Sequence, residues 1–246
     1  MAVRQGFLRA VEVGEPMDGE DRDGFPWTLP AVAALAEGLA LDPAVTYLVG
    51  ENGSGKSTLI EALAVAAGLN PEGGSRNFSY STRSSHSALG KALRLVRNTR
   101  RPKTDFFLRA ESFFTAATYL ESLPENPLMA YGGKSLHEQS HGESFLALLV
   151  NRFGPDGLYL LDEPEAALSA QNCLTCLRRM HELVEAGSQF VVATHSPILL
   201  AYPGATIYEC GDRGLERIEY EDADSVRLTR GFLESRERFL DRLLAD

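Results

Sequence analysis

The sequence predicts an α/β protein: a mostly parallel sheet with helices covering both faces. Short, wholly apolar segments alternate with stretches of helical periodicity, which is the pattern of strands buried on both sides. A glycine-rich turn follows one of those segments and opens a helix. In order, Phe7–Val13 reads as a strand, and residues 14–30 are rich in Gly, Asp and Pro and read as turns. Val45–Val49 is a short buried strand ending at the glycine turn, and a helix follows over Ser57–Ala67. Phe106–Ala110 is a further strand, Phe145–Val150 looks helical, and Leu158–Leu161 and Phe190–Ala193 are buried strands. Between the last two, Leu174, Leu177, His181 and Val184 recur at spacings of three and four and mark an amphipathic helix. Phe232, Phe239, Leu240, Leu243 and Leu244 mark another helix near the C-terminus. We read residues 1–246 as a single domain.

Composition narrows the class. The chain has 246 residues, 44% hydrophobic and 24% charged, with a net charge of -10. That much apolar material excludes intrinsic disorder. Its three cysteines are too few for a disulfide scaffold, the first residues lack a secretory signal, and no stretch is apolar enough for a membrane span. A soluble, cytoplasmic protein without membrane insertion is expected. Cys173 and Cys176 lie three apart on the predicted helix and read as buried residues rather than metal ligands.

Charge is unevenly spread. Arg76 to Arg109 holds nine Lys/Arg and one acid, Asp105, on an otherwise acidic chain. This segment, 76–109, offers a face to nucleic acid or a protein partner. Because Lys91, Arg94 and Arg97 recur at helical spacing, the plainer reading is a solvated helix face.

Two motifs carry the chemistry. Gly50-Glu51-Asn52-Gly53-Ser54-Gly55-Lys56-Ser57 fits G-x-x-x-x-G-K-[ST] in full, between a strand and a helix. The glycines let successive backbone N–H groups turn toward phosphate oxygens, and the helix end adds its positive dipole. Lys56 reaches the β/γ-phosphates, the Ser57 hydroxyl ligates Mg²⁺, and Thr58 closes the binding stretch by packing or capping. The second motif, Leu158-Tyr159-Leu160-Leu161-Asp162-Glu163, is an apolar strand ending in two carboxylates. Asp162 is placed for the Mg²⁺ shell. Glu163, pointing elsewhere, suits the general base for the attacking water. Glu165 reads as structural, a first-turn acid of the next helix.

Two further segments resemble ABC-type ATPases. Ser140-His141-Gly142-Glu143-Ser144 resembles their signature motif, a Ser-x-Gly-Glu core opening a helix. Ala193-Thr194-His195-Ser196-Pro197 resembles their switch-histidine segment, and all four motifs stand in the family's order. The run 162–168 is more similar to the repair and chromosome-maintenance branch than to transporters, and the chain resembles small stand-alone ATPases with an SHGESF-type signature. The resemblance implies a P-loop NTPase fold, an ABC-type ATPase head with an N-terminal antiparallel β portion. It implies Mg²⁺-dependent ATP hydrolysis and an ATP-driven, head-to-tail homodimer. In such a dimer Ser140, Gly142 and Glu143 of one copy touch the γ-phosphate held by the other, and His195 positions the water. Too few residues separate Gly50 from Ser140 for the long coiled-coil insertion of chromosome-maintenance ATPases.

Departures from the transporter pattern are the altered signature, Glu111 where a glutamine is usual, and Ser169 where an aspartate is usual. Phe25 and Trp27 are both candidates to stack on adenine. Two alternatives stay open: a detached transporter subunit, and a nucleotide-gated binding module with little turnover.

Overall fold

A computed structural model describes residues 4–14, 22–71, 73–74, 88–110 and 141–245. Strands β1 (Leu8–Val13), β2 (Leu39–Ala40) and β3 (Val45–Val49) precede helix α2 (Lys56–Ala67), with the short helix α1 (Pro30–Ala33) between β1 and β2. Next come α3 (Ala88–Ala92), β4 (Leu93–Arg97), β5 (Thr104–Arg109) and α4 (His141–Asn151). Strand β6 (Gly157–Asp162), helix α5 (Ala170–Glu185), strand β7 (Gln189–Ala193) and the short α6 (Pro197–Leu200) follow. The described chain ends with β8 (Thr206–Gly211), β9 (Gly214–Ile218), α7 (Asp224–Glu234) and α8 (Arg236–Leu243).

Six strands form the main sheet, in the order β5-β6-β7-β3-β8-β9, parallel except for β9. Every residue of β3, β6 and β7 is buried, as expected of strands covered on both faces. Alternate side chains feed two cores. Tyr47, Tyr159, Leu161, Phe190 and Val192 pack toward α4 and α5, with Phe153 stacked on Tyr159 at 4.1 Å between ring centroids. Leu48, Leu158, Leu160, Val191 and Ala193 pack on the opposite face against Leu59, Ile60 and Leu63 of α2.

A second, antiparallel sheet has the order β2-β1-β4, which is the N-terminal antiparallel portion the resemblance implies. Gln189 joins the two sheets. Its buried carboxamide accepts from the backbone N–H groups of Phe7 and Leu8 at 2.7 and 2.9 Å and donates to the carbonyls of Leu8 and Asp42, both at 2.8 Å. A buried amide so fully satisfied is a strong constraint on how the sheets meet.

Three expectations need correction. The basic segment is not one helix face: α3 stops at Ala92 and β4 pairs with β1, so Arg94 and Arg97 stand on a strand. Its charges also find acids: Arg94 meets Glu12 at 3.0 Å, Lys103 meets Asp156 at 2.7 Å, and Arg100 pairs with Asp156. On α5 the buried face is Cys173, Cys176, Met180, Leu183 and Val184, whereas Leu174 is 51% exposed. The cysteines are therefore core residues; of the predicted face Val184 is buried and Leu177 packs on the core, while Leu174 and His181 face outward. Finally, the C-terminal periodicity spans two helices broken at Ser235, and it leaves Leu233, Leu243 and Leu244 largely exposed.

Candidate functional site

The parallel strands bring their C-terminal ends into one row. Register places Arg109 beside Asp162, Asp162 beside Ala193, and Leu48 beside Ala193. The loops leaving these ends therefore start together, which is where parallel α/β sheets bind ligands.

The loop after β3 is shaped by its backbone. Gly50, Gly53 and Gly55 have φ of 136°, 82° and 99°, a region that side chains disfavour. At Gly50 the need is also steric, because a Cβ there would lie 2.2 Å from the carbonyl oxygen of Cys210. Gly55, the N-cap of α2, has no side chain to cap it, and among the described residues no side chain is hydrogen-bonded to the N–H groups of the first turn. The Lys56 ammonium is buried and donates to the carbonyls of Gly50 and Glu51 at 2.9 and 2.8 Å. Burial pushes it down from its ordinary pKa, while the carboxylates of Glu163, Asp162 and Glu165 pull it back up.

Asp162 is buried at the end of β6 and accepts a hydrogen bond from Ser57 Oγ at 3.0 Å. Its other oxygen faces Arg109 Nε at 3.5 Å, and the same guanidinium reaches Glu61 at 3.0 Å. A hydroxyl beside a carboxylate is a pair of hard oxygen donors, and such donors suit Mg²⁺. Glu163 has a φ of 48°, unusual for a residue with a side chain, and its N–H donates to Ala193 O at 2.9 Å. The turn sends Glu163 away from Asp162, and its Oε1 lies 3.5 Å from His195 Nε2. A pairing of this kind is what a water-activating site requires.

Two buried polar atoms here, Ser54 Oγ and His195 Nε2, have no hydrogen-bond partner among the described residues. With the side-chain-free start of α2 they fit a phosphate, an acceptor for hydroxyl and N–H donors alike. A cavity of about 630 Å³ adjoins the loop, lined by Gly50–Ser54, Thr194, His195, the β8–β9 turn and Leu228 of α7. Neither Phe25 nor Trp27 lines it. Phe25 is exposed and Trp27 packs on the core beneath the Arg22 guanidinium, 4.3 Å from its ring centroid.

A comparison with known proteins fits this arrangement. A family model described as an AAA domain matches residues 36–111, which include the glycine loop. The solved structure of an ABC transporter assigned to the metal-chelate type, in an inward-facing conformation, superposes with a TM-score of 0.50 at 16% identity, covering 89% of this chain and 85% of its own. The chain has the P-loop fold of ABC-type ATPases. CbiO1 from Clostridium perfringens, part of the ABC transporter complex CbiONQ, gives a TM-score of 0.49 at 16% identity, with 98% and 100% coverage. The SMC head domain from Thermotoga maritima gives 0.45 at 16% identity, with 87% and 99% coverage. No curated protein matches the chain.

Within this ABC-type fold, Gly142 and Glu143 stand in the first turn of α4. A Cβ on Gly142 would approach Asn172 Nδ2 at 2.9 Å and Ala167 O at 3.2 Å, so the glycine lets α4 press against the turn that follows Glu163. Ser140 and Glu111 lie outside the described residues, as does the His141 side chain. Ser169 caps α5, its hydroxyl accepting from Asn172 N at 3.2 Å.

One residue has a further part beyond the one the sequence suggests. Glu165 stands in the first turn of the four-residue 3-10 helix Pro164–Ala167, as the sequence suggests, and its carboxylate also reaches the segment that follows β7. Oε2 accepts from Thr194 Oγ1 at 2.8 Å and Oε1 accepts from the His195 N–H. Nothing in the local sequence signals this, because the partners lie 29 and 30 residues away.

Proposed function

We propose that the protein binds and hydrolyses ATP with Mg²⁺, and that ATP draws two copies together head to tail. The observation that carries this reading is the Ser57–Asp162 hydrogen bond, which joins the glycine loop to the acidic strand end beside the Glu163–His195 pair. Loop N–H groups and Lys56 receive the β- and γ-phosphates. Ser57 and Asp162 would hold Mg²⁺, which when bound neutralises phosphate charge and favours displacement of the γ-phosphoryl group. Glu163 takes the proton of the attacking water, and His195 Nε2 orients that water against the γ-phosphate. The second copy contributes Ser140, Gly142 and Glu143 to the same phosphate. The chain thus needs its partner copy to complete the site. None of the described helices is long and apolar enough to cross a membrane.

The test is Glu163→Gln. It should keep ATP binding by calorimetry, lower phosphate release by about a hundredfold or more as a general base is lost, and accumulate a dimer with ATP and Mg²⁺ by light scattering. Retained turnover removes Glu163 from its role. A monomer under all conditions removes the sandwich.

A further inference from the structure

The two loops flanking the hydrolytic pair are bound to each other past the end of the sheet. Sheet register accounts for Asp162 beside Ala193, and Glu163 N–H to Ala193 O adds one backbone bond. Beyond that point the Glu165 carboxylate joins them by hydrogen bonds. One oxygen takes the hydroxyl of Thr194, the other takes the backbone N–H of His195, and Thr194 Oγ1 in turn accepts from Ser196 N at 3.0 Å. Thr194 is fully buried. Its hydroxyl and the neighbouring amide would be left unsatisfied without that carboxylate, at the full cost of desolvated donors. An ionised acceptor makes both bonds strong ones.

We propose that Glu165 is a positioning residue: it clamps the His195 segment onto the Glu163 turn and so sets the spacing between the two side chains. Its kinetic consequence rests on the hydrolysis reading above, whereas the clamp itself does not. Glu165 acts on the Lys56 ammonium only through its charge, since that ammonium's described hydrogen bonds go to Gly50 O and Glu51 O, so its loss should change ATP affinity little. Displacing a catalytic group by about 1 Å can cost a hundredfold in rate. Glu165→Gln should therefore lower kcat by about tenfold to a hundredfold and move KM for ATP by less than about twofold. Thr194→Val, which keeps the volume, should show a smaller loss of the same kind, and Thr194→Ser, which keeps the hydroxyl, should restore the rate.

The decisive experiment is a double-mutant cycle of phosphate release, with Glu165→Gln and His195→Ala alone and together. If Glu165 acts through His195, then in the His195→Ala background the second change lowers the rate less than about twofold. A full and independent loss in that background overturns the proposal, as does an unchanged kcat for Glu165→Gln. Should Glu165→Gln not fold, Thr194→Val takes its place in the cycle. Hydrogen exchange in the nucleotide-free protein separates the clamp from the enzyme. The His195 amide should exchange at least about tenfold faster in Glu165→Gln, with the amides of Val45–Val49 unchanged. Equal exchange at His195 overturns the clamp. If the wild-type protein releases no more phosphate than Lys56→Ala, the hydrolysis reading falls while the exchange result still judges Glu165.

Discussion

The loops that meet at the sheet's end are built by two opposite means. The glycine loop is held by backbone: three positive-φ glycines, the steric demand of Cys210 O at Gly50, and a lysine bonded to the loop's own carbonyls. The turn carrying Glu163 and the segment carrying His195 are held by side chains reaching across the sheet, chiefly Glu165 and Thr194. Backbone-built loops announce themselves because glycines at fixed spacing are conspicuous. Side-chain-built ones do not, because their partners are distant in sequence.

The largest expected effect tests whether backbone alone suffices. Lys56→Ala removes a buried cation, which by the measure of truncated charge pairs costs about 3 kcal/mol or more, at least a hundredfold in ATP affinity. Affinity by calorimetry that survives would assign phosphate binding to the amides alone. The Glu163→Gln and Glu165→Gln rates come next, and they should differ in kind: the first loses a reacting group, the second its alignment. Gly50→Ala places a methyl against a carbonyl at 2.2 Å and demands a disfavoured φ, so about 1–3 kcal/mol of stability should be lost. An unchanged denaturation midpoint would break the claim that this loop is dictated by its backbone. Ser169→Ala removes the α5 cap and should cost only about 1 kcal/mol in the same assay.

Much of the fold was legible for the same reason. Buried strands such as Tyr159–Leu161 carry apolar residues on both faces, and Asp162 and Glu163 stand out as acids ending one of them. The structure diverges where local periodicity has two readings. Lys91, Arg94 and Arg97 are three apart, but Leu93 is buried and Leu95 packs on the core from β4, so alternation wins over the helical spacing. On α5, Cys173 and Cys176 form part of the buried face, and Leu174 drew attention to the wrong side. The Glu165 contacts had no sequence signal, since a first-turn acid and a cross-strand acceptor look alike until the strands are assembled.

The lysine of the glycine loop has a further consequence. Its ammonium already sits against two carbonyls, so the freedom of a long, flexible side chain is surrendered when the protein folds and not when a ligand arrives. An incoming polyanion meets a cation fixed in place, and association need not wait for that arm to be caught from solvent.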